Sequence, residues 1–473
     1  MKKMIRLAMK IFLAALITVS CDFPQVTENG EGGLTVVLPG ESRNGMARSV
    51  LSNGFTPTLR YRITLAGPGE TIERDAAGGS VTVFVRPGTW TVTVRAWDSA
   101  GVLAGTGSET VTVVPGKPAA VSVGMVVDAA YEASRADLYI HSEAELRRCL
   151  TLYGSADKTF YLENDISVGG SPAGILDNGT LDGQGHTVTL DINVDGTQAG
   201  FLGGNGGTVK NLRLAGTVLG SYSSGNSGAG AVAALNIAGG TIRNVASTVM
   251  VTALNTTGGT AVLYTGGIAG ENYGIIEDCS AGGDVSATRT GSLGDPQTGG
   301  IAGRSDGAIY RCYTWGSWGS ISSNVPTGPT GGIAGSNGGT IGNCAALNSK
   351  VNNTNTSMNY QGRISGFGSG TYSFNHAYAL MQLDSYTTPI SGSTATSSNG
   401  ADIAATDLAS SGSLTLWTGD STKLDWPTFQ TAATPGEPAG SPWHWYKTIT
   451  IPANGISGSG IATAYVPALW FEE

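Results

Sequence analysis

Between residues 201 and 364 an apolar position returns behind each glycine-rich turn, at Phe201, Val232, Ile268, Ile301, Ile333 and Ile364. The intervals are 31, 36, 33, 32 and 31 residues. A period that drifts around a mean predicts short strands held in phase while the connections between them vary in length. Stacked coils at the ordinary strand spacing of ~4.8 Å meet that description. Upstream, FYLENDISVGG and GTLDGQGHTVTLDIN alternate around glycine corners in the same manner.

Two further columns keep step with the marks. Asn205, Asn236, Asn272, Ser305 and Asn337 lie four places after them. Asn tolerates left-handed corners, and stacked amides can hydrogen-bond from coil to coil. Leu212, Cys279, Cys312 and Cys344 lie eleven places after the marks, and Val245 joins them across an insertion. A Cys that replaces Leu or Val is expected to point inward as a small hydrophobe. Just before that column come Asn211, Asn244, Asp278, Arg311 and Asn343.

Elsewhere the pattern changes. LTVVL, LRYRITLAG, SVTVFV, WTVTVRAW, ETVTVV and AAVSVGM alternate with period two over residues 33–127, separated by turn signals such as Pro87-Gly88 and Pro115-Gly116. Six or seven strands predict a small antiparallel sandwich of immunoglobulin-like or transthyretin-like pattern, with Pro87-Gly88 in a tight hairpin. Ser142-Glu-Ala-Glu145 reads as a capping box. It opens a helix over 142–153 whose Leu146, Cys149 and Leu150 share a face, suited to covering the open end of the stack.

The domain reading is a leader at 1–20, a tether at 21–32, a sandwich at 33–127, a linker and capping helix at 128–157, a β-helix at 158–390, and terminal coils with a Trp-rich cap at 391–473. Trp417, Trp426, Trp443, Trp445 and Trp470 would plug the far end. The fold class is all-β.

Composition agrees. Gly is 72 of 473 residues, about twice the usual usage, and only 13% of residues are charged while 40% are hydrophobic, so the chain should fold rather than stay disordered. Lys2, Lys3, Arg6 and Lys10 precede the apolar run IFLAALITV, too short to span a bilayer, and Ser20-Cys21 follows. This resembles a lipoprotein export signal, with Thr18 where the pattern usually has Leu; ordinary signal cleavage nearby is the alternative. Acylated Cys21 would then be the membrane partner. Removal of 1–20 leaves 22 basic against 35 acidic residues, a charge of −13 that disfavours nucleic acid. The expected location is the cell envelope, lipid-anchored, with the outer membrane or cell surface favoured.

TGGIAGENYGIIEDC at 265–279, TGGIAGRSDGAIYRC at 298–312 and TGGIAGSNGGTIGNC at 330–344 resemble the GLUG repeat of bacterial surface proteins, among them adhesins and the non-catalytic part of IgA-cleaving metallopeptidases. The resemblance implies a right-handed parallel β-helix and no single activity. His141, His186, His376 and His444 are isolated and no HExxH is present, so peptidase chemistry does not carry over. Cysteines 32 or 33 residues apart fall on successive coils in a line rather than converging on a metal; oxidation of one adjacent pair stays open. Asp182, Asp191 and Asp195 are the only dense acid group. No catalytic residue, metal or cofactor is assigned. The leading reading is adhesin-like binding of a glycan or host surface protein, with Tyr313, Trp315 and Trp318 on long polar loops at 284–298 and 314–329 as contacts. A carbohydrate-active β-helix enzyme and a purely structural envelope component are the alternatives.

Overall fold

The computed structural model describes residues 31–38, 59–196, 198–223, 226–255, 262–289, 295–323, 328–353, 360–383, 390, 392–410, 414–418, 424–427, 429, 441–452 and 461–472. The stretch expected to be an export signal, and Cys21, lie outside these residues. The chain divides into a unit ending at Arg135 and a unit running from Ala136 onward.

In the first unit, β1 (Gly32–Val37), β2 (Arg60–Gly67), β3 (Glu70–Ala76), β4 (Ser80–Val85), β5 (Gly88–Trp97), β6 (Leu103–Val113), β7 (Ala119–Ser122) and β8 (Val126–Val127) form two sheets, ordered β4-β1-β7 and β3-β2-β5-β6-β8. All pairings are antiparallel except β1 with β7. Leu34, Val36, Ile63, Leu65, Val92 and Val94 alternate into one core around fully buried Trp90. One turn expectation needs correction: Pro87-Gly88 does not close a hairpin. Arg86-Pro87 instead carries the chain from β4 in one sheet to β5 in the other, while the turn expected at Pro115-Gly116 is present, closed by Lys117 N donating to Val114 O at 3.1 Å, and takes β6 to β7 across the sheets. Hairpin turns stand instead at Pro68-Gly69, between β2 and β3, and at Asp98–Val102, between β5 and β6. β3 was missed because its ETIERDA sequence is polar on both faces, and both are largely exposed. A helix, α1 (Ala129–Ser134), closes the unit, with Asp128 accepting from Ala130 N and Tyr131 N.

The second unit is a parallel β-solenoid. It begins earlier than residue 158: β9 (Asp137–Ile140) already pairs in parallel with Thr159–Leu162. Between those strands stands α2 (Glu143–Tyr153). Ser142 Oγ accepts from Glu145 N at 3.4 Å, while Glu145 returns to His141 N at 2.8 Å, so the reciprocal arm is displaced by one residue. Leu146, Cys149 and Leu150 are buried. One coil, residues 262–289, shows the pattern: Val262–Gly266, Ala269–Asn272, Ile275–Ala281 and Val285–Arg289. The first strand of each coil joins a six-stranded sheet and the second a seven-stranded sheet; the remainder build one long sheet. The stretches expected to be loops at 284–298 and 314–329 contain strands instead, at Val285–Arg289 and Tyr313–Ser323, the latter paired with Ala345–Asn353.

The apolar marks are fully buried. Four of them hand a hydrogen bond to the next mark: Val232 N to Ile268 O, Ile268 N to Ile301 O, Ile301 N to Ile333 O and Ile333 N to Ile364 O, at 2.8–2.9 Å. Glycine is required where neighbouring coils meet: a Cβ on Gly267 would collide with the carbonyl oxygen of Gly300. In the last such coil Arg363 occupies the glycine position. Its buried guanidinium donates to the carbonyls of Asn399 and Gly400 and pairs with Asp402.

Candidate functional site

The Asn column forms a buried hydrogen-bonded ladder. Asn205 Nδ2 donates to Asn236 Oδ1 at 2.8 Å, Asn236 to Asn272 at 2.8 Å, and Asn272 to Ser305 Oγ at 3.1 Å. Asn337 bonds Gly339 N instead. The left-handed corners belong to the other column: Asn211, Asn244, Asp278, Arg311 and Asn343 have φ between 49° and 58°, continued by Gln184 before and Phe374 after them. Asn244 donates to Asn211 at 3.0 Å and Asn211 to Asp182 at 3.1 Å.

Immediately inside this corner stand Cys279, Cys312 and Cys344, all fully buried and outside any disulfide; Cys149 on α2 is buried as well. Each ladder thiol donates to the carbonyl two residues back, those of Glu277, Tyr310 and Gly342, at 3.1–3.2 Å. Burial pushes the Cys312 and Cys344 thiols well up. Among the described residues no group of three or more His, Cys, Asp or Glu is placed to hold a metal ion. His186 instead faces Asp165 at 3.2 Å, and the Asp165 carboxyl is held low, chiefly by the Thr187 backbone N–H.

The corner divides the outward face of the long sheet in two, and the halves differ. On one half, the outward positions Ala246, Ser280, Tyr313, Ala345 and His376 lie in register and are all buried. They are covered by the C-terminal segment, whose antiparallel strands Trp443–Pro452 and Ile461–Leu469 pack along the side of the coils. Trp443 Nε1 donates to Asp278 Oδ1 at 2.9 Å, Trp426 Nε1 to Asn343 O at 2.6 Å, and Tyr313 Oη to Pro467 O at 2.8 Å. Trp417, Trp426 and Trp443 surround the Tyr313 ring at 5.7–6.3 Å. Phe471 reaches Gly185 and lies under Arg213. Arg311 binds Asp278 through both carboxylate oxygens and also Glu277, and its guanidinium is held firmly protonated, chiefly by Asp278.

The Trp-rich tail is therefore a lateral strap, not a plug at the far end. Tyr313 cannot meet a ligand there, being wholly buried. Trp315 is half-buried beneath Lys447 and against Gly282. The side chains of Trp318 and Trp445 lie outside the described residues.

The other half is open. Thr159, Thr180, Thr208, Thr241 and Ile275 form one outward column; Tyr161, Asp182, Lys210, Arg243 and Glu277 form the next. A groove of about 410 Å³ runs over all of them but Ile275, which stands exposed beyond its end. Most of these side chains are half-buried, and Leu181, Val209, Ile242 and Ile276 between the columns point into the core. Lys210 Nζ pairs with Asp182 at 3.0 Å, and Glu277 with Arg311 at 2.8 Å. At the α2 end Tyr161 stacks on Tyr139, with ring centroids 5.1 Å apart. Of these only Asp182 drew attention in the sequence. Thr208 and Lys210, Thr241 and Arg243, and Ile275 and Glu277 were legible as the positions three and one before the corner residues Asn211, Asn244 and Asp278; Thr159, Tyr161 and Thr180 carry no such mark.

Residues 261–286 match the family model of the GLUG motif. No curated protein matches the chain. Among solved structures, one described as a "putative immunoglobulin A1 protease" from Bacteroides ovatus is similar over 58% of this chain and 86% of its own, at 20% identity and a TM-score of 0.44, a likeness too slight to bear on function. The chain thus carries a GLUG repeat within a β-solenoid.

Proposed function

We propose that this chain is a lipid-anchored protein of the bacterial cell envelope that binds a glycan or protein on the open half of its long sheet. The groove over the Thr159–Thr241 and Tyr161–Glu277 columns carries this reading. It is a ready-made concave surface with convergent polar groups on rigid strands. Acylation of Cys21 is the anchor, and surface exposure is the placement that gives such a groove an external ligand.

Binding is favoured over hydrolysis by spacing. The groove's two carboxylates, Asp182 and Glu277, are three strand steps apart in register. At ~4.8 Å per step that is roughly 14 Å, beyond the ~5–9.5 Å that paired glycosidase carboxylates span. The test has two parts. Protease shaving of intact cells should remove the solenoid while a periplasmic control survives, and the purified protein should retain ligands on glycan and protein arrays without altering them. Full protection of a cleavable protein would defeat surface exposure. New reducing or unsaturated sugar ends would replace binding by catalysis.

A further inference from the structure

We infer that the groove takes an extended, uncharged, β-linked glycan lying along the solenoid axis, with one sugar over each coil; this rests on the binding reading above. The first argument is repeat distance. Successive outward residues Thr159, Thr180, Thr208, Thr241 and Ile275 are direct register partners on neighbouring parallel strands. They therefore recur at ~4.8 Å, close to the rise per residue of an extended β-linked sugar chain. A helical glycan would lose step after one or two coils.

The second argument is chemistry. Each coil offers a threonine, with a methyl for a sugar face and a hydroxyl for a sugar hydroxyl, over its first four steps. Beside it stands a planar or long polar group: Tyr161, Asp182, Lys210, Arg243 and Glu277. β-branching stiffens the threonines at χ1, so little side-chain freedom remains to be lost on binding. Exposed Ile275 at one end and the Tyr139–Tyr161 stack at the other supply apolar surface for sugar rings.

The third argument is charge. Along the column the signs run minus, plus, plus, minus, and Asp182 is already paired with Lys210 and Glu277 with Arg311. The column presents no net field to a polyanion, and the chain as a whole is acidic, with a formal charge of −9. A peptide is disfavoured for another reason. Each strand under the groove is hydrogen-bonded on both sides, so no free edge invites strand addition.

The experiment is calorimetric titration of the purified chain, lacking only its export signal, with cello- and xylo-oligosaccharides from disaccharide to octasaccharide. Malto-oligosaccharides serve as a helical control and polygalacturonate as an acidic one. Affinity should climb with each sugar up to about five, matching the five coils that line the groove, and then level off. Thr208→Trp, which fills the middle of the groove, should weaken the pentasaccharide by at least about tenfold. Thr340→Trp, on the same column beyond the groove, should not.

Tighter binding of polygalacturonate, equal binding of malto-oligosaccharides, no dependence on length, or an unaffected Thr208→Trp each overturns this inference while leaving a glycan-binding protein. Array binding of proteins alone also overturns it and leaves the broader reading. A wild-type chain that binds neither glycan nor protein removes both. Matching far-ultraviolet spectra and melting curves for Thr208→Trp and Thr340→Trp separate lost binding from lost fold.

Discussion

At the residue scale the corner column decides the shape of the coil. A left-handed conformation costs an ordinary L-residue roughly 1–2 kcal/mol, and Asn and Asp are the side chains that lower that cost by local hydrogen bonding. Asn244 illustrates both contributions, with φ 54° and an amide donated to Asn211 Oδ1. Asn244→Ala should therefore destabilise by about 2–3 kcal/mol, strain and a lost buried hydrogen bond acting together. Asn244→Gly relieves the strain and should cost only about 1 kcal/mol. Urea denaturation of the two variants would check this, and equal losses would show that conformation plays no part. The sequence displayed both Asn columns, but it did not say which one turns left-handed. Asn at a ladder and Asn at a corner look alike until the φ of each is known. The cysteines were legible as inward residues; their donation to the carbonyl behind each corner depends on that same backbone turn.

At the element scale the strap was hidden for a different reason. Its tryptophans were conspicuous, but where they dock is a contact between distant parts of the chain. Local pattern carries no record of it. A trace did exist on the receiving side: Ala246, Ser280 and Ala345 are small outward residues in a register column otherwise holding Arg213, Tyr313 and His376, and they leave room for indole rings. The strap's hold on the coils is concentrated at Trp443, which is fully buried and bonded to Asp278. Trp443→Ala should cost about 3–5 kcal/mol by loss of packing. Trp443→Phe keeps a ring and loses the hydrogen bond to a carboxylate, about 1.5–3 kcal/mol. Limited proteolysis should cut the strap of the Ala variant first, leaving a resistant solenoid fragment. Simultaneous loss of strap and solenoid would mean the coils cannot stand without it. The same local–distant distinction explains the turns of the sandwich: Pro-Gly marks a sharp bend, and whether the bend closes a hairpin or changes sheets depends on which strands pair.

At the scale of the whole molecule two cores exist, one around Trp90 and one running through the stacked marks from Phe201 to Ile364. Their energetics should differ in kind. The sandwich depends on contacts across its whole core and should unfold as one unit. The solenoid is a stack in which each coil leans on its neighbours, so damage at one interface weakens the array from within. Calorimetry of the intact chain should therefore show two transitions. Trp90→Ala, removing about 3–5 kcal/mol of packing, should lower only the sandwich transition. Gly267→Ala, which drives a methyl into the carbonyl of Gly300, should lower only the solenoid transition. That transition should also broaden, because coils on either side of the damaged interface lose their coupling. A single transition moved by both substitutions would mean that the units fold as one, and the division at Arg135 would then describe geometry without describing stability.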